Sequence, residues 1–289
     1  MGWVETVLDE LSEPTGWSYQ PGAPPATEPA ATTALALAGH GRHLAAERAR
    51  RWLASVQNDD GTLGILADEQ APHWPTGLAV LAWNAAGAAD DYTRSIAKAL
   101  AWILSTRGET SPRSNEVGHD TMAIAWPWVE GTHAWVEPTA FNLLALKALG
   151  HARHQRARAA VEMLVDRLLP QGGCNYGNTV VLGQTLLAHV EPTGLALAAL
   201  AGESDPTRKI AKSIDYLEGT LDRSTTAASL AYGLIGLAAH GHMPAGANEW
   251  LASAAGRTRR RGASPHRLAL LALAALGTAC PLLQGASVP

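Results

Sequence analysis

Between residues 117 and 139 the chain reads VGHDTMAIAWPWVEGTHAWVEPT, which brings two histidines, an aspartate, two glutamates and three tryptophans into one segment. A carboxylic acid set among aromatic rings and away from other charges has a raised pKa and serves as a general acid, while the faces of Trp126, Trp128 and Trp135 stabilise a cation. That pairing is the chemistry of proton-initiated cyclisation. Asp120, with His119 beside it, is the best acid candidate, and His133 is a candidate proton carrier. The alternative for Asp120 is a turn residue that bonds the backbone near Thr121.

A second group recurs along the chain. Glu28, Glu137 and Glu191 each precede a proline that opens an apolar run (EPAATTALALAG, EPTAFNLLALKALG, EPTGLALAALAG). A carboxylate there meets free N–H groups and the positive end of a helix dipole, typically worth about 0.3–1 kcal/mol. Three such positions around one opening would also hold a cationic or polyhydroxylated ligand. His73 shares this setting. Trp17, Trp74 and Tyr176 lie in the loops that lead to such runs, so they complete a candidate substrate-binding set with the three tryptophans, Glu137 and Glu191. Cys174, in the turn GGCNYGN, is either a nucleophile awaiting a base or a packed turn residue.

These residues must be positioned by helices, because helical periodicity runs the length of the chain and strand-like alternation is nearly absent. The helices are of two kinds. Six are apolar on all sides, at 29–39, 75–87, 138–150, 192–202, 226–241 and 265–277. Six are amphipathic, at 3–13, 44–57, 92–107, 155–169, 206–221 and 244–256. A helix apolar all round has to be covered all round. Strict alternation of the two kinds therefore predicts an all-α fold, a single α6/α6 toroid over residues 1–289, with the apolar helices inside; an open solenoid would need polar capping repeats at its ends. Pro29, Pro75, Pro138, Pro192 and Pro265 open inner helices, and Gly39, Gly87, Gly150, Gly202 and Gly277 close them. Links from inner to outer helices are short. Links from outer to inner helices are long, so the long loops and the candidate residues share one face.

Composition narrows the function classes. A formal net charge of −4 gives no footprint for nucleic acid, and the one basic run, RTRRR at 257–261, suits a solvated loop. No apolar run reaches the roughly 20 residues of a transmembrane helix. The opening MGWVETVLDELSE carries acids where a signal peptide needs a basic start, and the two cysteines form no disulfide framework, so the cytoplasm is expected. Gly2 and Thr6 nominally match a myristoylation pattern, which leaves peripheral membrane contact open. Histidines 40, 43, 151, 154, 240 and 242 lie at the inner helices' C-termini, where they suit caps better than metal ligands. No metal or other cofactor is expected.

The stretch RRWLASVQNDDGTLG (50–64) resembles the QW repeat of squalene-hopene and oxidosqualene cyclases, with Leu63 where that repeat has tryptophan. A degenerate copy stands at RLLPQGGCNYGN (167–178). The EPT-type openings are similar to the prenyltransferase and squalene oxidase repeat proteins. The resemblance implies an α/α toroid and a class II terpene cyclase-like isomerase or lyase acting on an isoprenoid or other apolar substrate. The chain departs from those enzymes in lacking their DxDD motif. It also lacks the Asp-x-Cys zinc ligands of protein prenyltransferases and the Cys-Gly-Glu-Gln of complement thioester domains. The alternative is a non-catalytic toroid that binds a lipid, a peptide or a partner protein.

Overall fold

The computed structural model describes residues 2–13, 17–69, 71–85 and 89–286. Two kinds of helix alternate along the chain, as their patterning requires. The amphipathic ones are α1 (Trp3–Leu11), α3 (His43–Ser55), α5 (Thr93–Ser105), α7 (Gln155–Arg167), α9 (Lys209–Thr220) and α11 (Ala247–Arg260). The apolar ones are α2 (Thr27–Gly39), α4 (Thr76–Asn84), α6 (Val136–Ala148), α8 (Val190–Ala199), α10 (Ala227–Ala238) and α12 (Pro265–Ala274). In α2 and α6 every residue but the last is buried. A short antiparallel ribbon, β1 (Val180–Val181) with β2 (Gln184–Thr185), decorates the loop before α8. Among the described residues no helix is long and apolar enough to cross a membrane.

The apolar helices cover one another in a closed cycle: α2 packs on α4, α4 on α6, α6 on α8, α8 on α10, α10 on α12, and α12 returns to α2. Each also packs against an amphipathic helix, and one continuous core draws on all twelve. Cations close the ends opposite the long loops. Arg50 donates to the carbonyls of Ala82 (2.8 Å) and Ala85 (3.1 Å) at the C-terminus of α4, and Lys147 donates to Ala201 (3.0 Å) while pairing with Glu203 at 2.9 Å. His40 and His240 bond the carbonyls of Ala272 (2.8 Å) and Leu197 (3.0 Å) on neighbouring apolar helices, and His154 caps α7 through Arg156 N–H. The His40 and His240 bonds are of the C-terminal capping kind, whereas His154 accepts at the N-terminus of an amphipathic helix rather than capping a C-terminus.

Helix starts differ from the sequence expectation. Pro29, Pro138 and Pro192 stand third in their helices, Pro75 precedes α4, and Pro265 alone is the first helical residue. The reason is that all N–H groups of the first turn lack intrahelical acceptors, so proline is tolerated throughout it. The threonines after three of these prolines tie the long loops down: Thr76, Thr139 and Thr193 hydroxyls accept from the N–H groups of Leu63 (3.0 Å), Trp126 (3.3 Å) and Cys174 (2.9 Å). Leu63, Trp126 and Cys174 are thus equivalent anchors in successive loops. Gly87 lies outside the described residues.

The two QW-like turns are also equivalent. Gln57 donates to the carbonyls of Gly61 (3.0 Å) and Ser95 (2.9 Å), bridging the turn to α5. Gly61 (φ 92°) and Gly172 (φ 104°) press against the backbones of α5 and α9, where a Cβ would stand 2.4 Å from Lys98 and 2.2 Å from Lys212. Both positions need left-handed φ and an absent side chain. Gly61→Ala and Gly172→Ala are therefore each expected to destabilise the protein by about 2 kcal/mol or more. Gly219→Ala, in open space near the end of α9, is expected to stabilise it by up to about 1 kcal/mol. Thermal or urea melts of the three variants check the contrast.

Candidate functional site

Because the apolar helices run in one cycle, their first turns face a common opening. The second helical residue of each is Glu28 in α2, Gly77 in α4, Glu137 in α6, Glu191 in α8, Ala228 in α10 and His266 in α12. All but Gly77 line one cavity of about 320 Å³, which we call the mouth; beside Gly77's helix the wall is Trp74 instead. Trp128 meets Trp74 edge to face, with ring centroids 4.6 Å apart at 71°, and Phe141 stacks behind Trp74 at 6.2 Å. Tyr19, Gln20, Ser264 and Arg267 complete the lining.

The three glutamates have different surroundings. Glu28 accepts a 2.7 Å hydrogen bond from the Tyr19 hydroxyl and faces His266 Nε2 at 3.6 Å. Glu137 is 8% exposed, and among the described residues nothing donates to its carboxyl group. Burial lifts that carboxyl well above the usual carboxylate range, and repulsion from Glu28 and Glu191 adds to the effect. Glu191 is half-buried and also raised, by burial and then by Glu28, with Arg267 opposing. Burial pushes the His266 imidazole down against the pull of Glu28, so the ring is biased towards its neutral form. The mouth is an acid-lined opening with an aromatic wall, and the positive ends of the helices sit beneath it.

The residues expected from the sequence to form one site are divided between several places. Trp74, Trp128, Glu137 and Glu191 meet in the mouth. His119 and His133 line a separate cavity of about 480 Å³ with Glu109, Asn178 and the buried Arg167. Burial and then Arg167 depress both imidazoles, His119 to about 4, so both are neutral near pH 7. Asp120 is not the raised acid its neighbours suggested. Arg113 grips its carboxylate with two bonds of 2.9 and 2.6 Å, Met122 N–H adds a third at 3.0 Å, and its pKa falls below the ordinary value. It is a turn residue held ionised.

Two tryptophans are structural. Trp126 is fully buried, its indole N–H bonds the Ile103 carbonyl at 3.0 Å, and the Arg156 guanidinium covers its ring at 4.1 Å, which leaves no face for a substrate. Trp17 is 7% exposed and packs on Trp52 at 6.4 Å outside the mouth. Trp135 precedes α6 and lies against His133 at 4.5 Å, and a Cβ on Gly177 would stand 2.8 Å from its ring. Tyr176 pairs with His189 at 5.3 Å, close enough to the mouth for Glu191 and Glu137 to help raise its hydroxyl pKa, after burial. Cys174 is buried, with its thiol pushed up to about 12, which is unsuited to a nucleophile. Sequence reasoning missed Tyr19, His266 and Arg267. The signal for His266 was its register: it stands second in α12 as the glutamates do in theirs.

The chain matches no protein-family model and no curated protein. Among solved structures it is similar to a crystal structure of a protein from Actinoplanes, with a TM-score of 0.55 and 17% identity over 89% of this chain and 79% of that one. It also overlaps Salmonella alpha-2-macroglobulin reacted with methylamine (TM-score 0.49, 15% identity, 95% of this chain and 17% of that one). A C-terminal portion of native Escherichia coli alpha-2-macroglobulin gives a TM-score of 0.49 and 14% identity, over 95% of this chain and 42% of that one. At 17% identity the likeness to the Actinoplanes protein speaks of fold alone.

Because the Glu137 carboxyl ionises above its ordinary value of 4.5, the folded protein holds that proton more tightly than the unfolded chain does. Its contribution to stability is full below pH 4.5 and is lost as pH rises through the folded pKa, at up to about 1.4 kcal/mol per pH unit. Glu137→Gln is expected to leave stability nearly unchanged in acid and to raise it at pH 7–8. Melting curves of both proteins across that range check the sign.

Proposed function

We propose that the cycle of six apolar helices inside six amphipathic ones is an α6/α6 toroid, and that the protein binds a small molecule in its mouth. The observation that carries this reading is the convergence of Glu28, Glu137 and Glu191 with the Trp74–Trp128 pair on one cavity. The cavity volume is at the lower end of the roughly 300–1,000 Å³ of small-molecule sites. Such a space suits a compact ligand with an apolar body rather than a long triterpene.

A second reading is favoured by one feature, the raised carboxyl of Glu137 beside aromatic rings. It is proton-initiated isomerisation or cyclisation of a short isoprenoid, with Glu137 as the acid in place of Asp120 and with Trp74 and Trp128 facing the developing cation.

Native mass spectrometry of protein taken from its source is expected to reveal a small non-covalent ligand that Trp128→Ala loses. Protein that emerges empty, and whose tryptophan fluorescence responds to no lipid, amine or prenyl compound, would remove the binding reading. For the enzymatic reading, incubation with geraniol and linear prenyl diphosphates followed by gas chromatography–mass spectrometry should give a product that Glu137→Gln does not form. Absence of any product removes it.

A further inference from the structure

We propose that the mouth takes the protonated amine head of a small, partly apolar molecule, with Glu137 as its principal counter-ion. This rests on the reading of the mouth as a ligand site and names the chemistry of the ligand. Three acids around an opening do not by themselves make a site, since each also suits its helix N-terminus. The deciding feature is Glu137. Its side chain is more than nine-tenths buried, receives no hydrogen bond from the described residues, and lines the cavity; its carboxyl oxygens, unlike His266 Nδ1, are not among the atoms sealed from solvent. A buried carboxyl in that state lacks donors, and a ligand that brings N–H groups and a positive charge satisfies it.

The remaining walls agree with a cation. Trp74 and Trp128 border the cavity, where an indole face attracts an ammonium group and the ring bodies accept an apolar tail. Glu28 from α2 and Glu191 from α8 add negative charge. Tyr19 donates to Glu28 and so leaves Glu137 free. The opposing groups are few. Arg267 of α12 is exposed, His266 beside it is biased towards the neutral ring, and Tyr232 of α10 is buried with its hydroxyl held protonated by burial and by the same carboxylates.

Because burial biases the free Glu137 carboxyl towards its protonated form, binding a cation there displaces a proton. The Glu137 carboxyl gives up its hydrogen to solvent, the resulting carboxylate accepts hydrogen bonds from the ammonium, and no covalent bond to the ligand forms or breaks. An amine is therefore held more tightly as pH rises towards the pKa of the amine itself. A neutral alcohol of the same shape releases no proton.

The test uses 2-phenylethylamine and 2-phenylethanol as matched probes in calorimetric titrations near neutral pH, run in two buffers of different ionisation heat. The amine is expected to bind about tenfold or more tighter than the alcohol, with a buffer-dependent enthalpy that reports proton release. Glu137→Gln, which the stability argument expects to fold well, should abolish both the preference and the proton release. Glu191→Gln should weaken the preference and keep the release. Equal affinity for the two probes, lost in Trp128→Ala, overturns the amine inference and keeps the mouth as a ligand site. Binding of neither probe overturns the amine inference, while the ligand-site reading stands or falls on the native mass spectrum.

Discussion

Everything in this protein depends on the need to cover helices that have no polar side. α2 and α6 bury nearly every residue, so neither can sit at a surface, and each must find apolar neighbours in several directions at once. The cycle of packing from α2 round to α12 and back meets that need, with the amphipathic helices supplying the outer cover. The same cycle has an electrostatic result. The first turns of these helices come together at one cavity, where the residues that stand second in five of them confront one another.

That confrontation makes like residues unlike. Glu28, Glu137 and Glu191 occupy one helical position, and a helix dipole favours a carboxylate there in each case. Glu28 and Glu137 are equally buried, but Glu28 has a tyrosine hydroxyl and an imidazole beside it, whereas Glu137 has two like charges nearby and no donor among the described residues. Desolvation dominates for Glu137, because a carboxylate deprived of water and donors is costly by more than the dipole returns. Sequence context cannot separate these outcomes, since Tyr19 reaches Glu28 only through the way the loop before α2 folds back, and His266 comes from the far end of the chain.

The long loop from 108 to 135 shows the same division from the other side. Its tryptophans look alike in sequence, yet Trp126 is a core residue anchored by Thr139 and capped by Arg156, while Trp128, two residues on, walls the mouth. The anchor recurs at Leu63 and Cys174, which explains why a leucine or a cysteine stands in the equivalent place: the position requires an apolar side chain and a backbone N–H for the threonine. Asp120 and His119, neighbours in sequence, diverge too. One is held ionised by an ion pair with Arg113 at the surface, and the other turns inward towards Arg167.

Local sequence determined the helices, their alternation between apolar and amphipathic, the prolines near the starts of the apolar ones, and the placing of long loops before the apolar helices. These follow from periodicity and from hydrogen bonds that span a few residues, so they are written in short stretches of chain. The recurrence of Glu-Pro at three helix starts was equally legible. Tertiary structure alone decided which acid is buried without a donor, which tryptophan faces a cavity and which is sealed, and that His119 turns towards Arg167 of α7. Those properties depend on desolvation and on charges brought together from distant segments, and both are set by the closing of the cycle rather than by any stretch of residues.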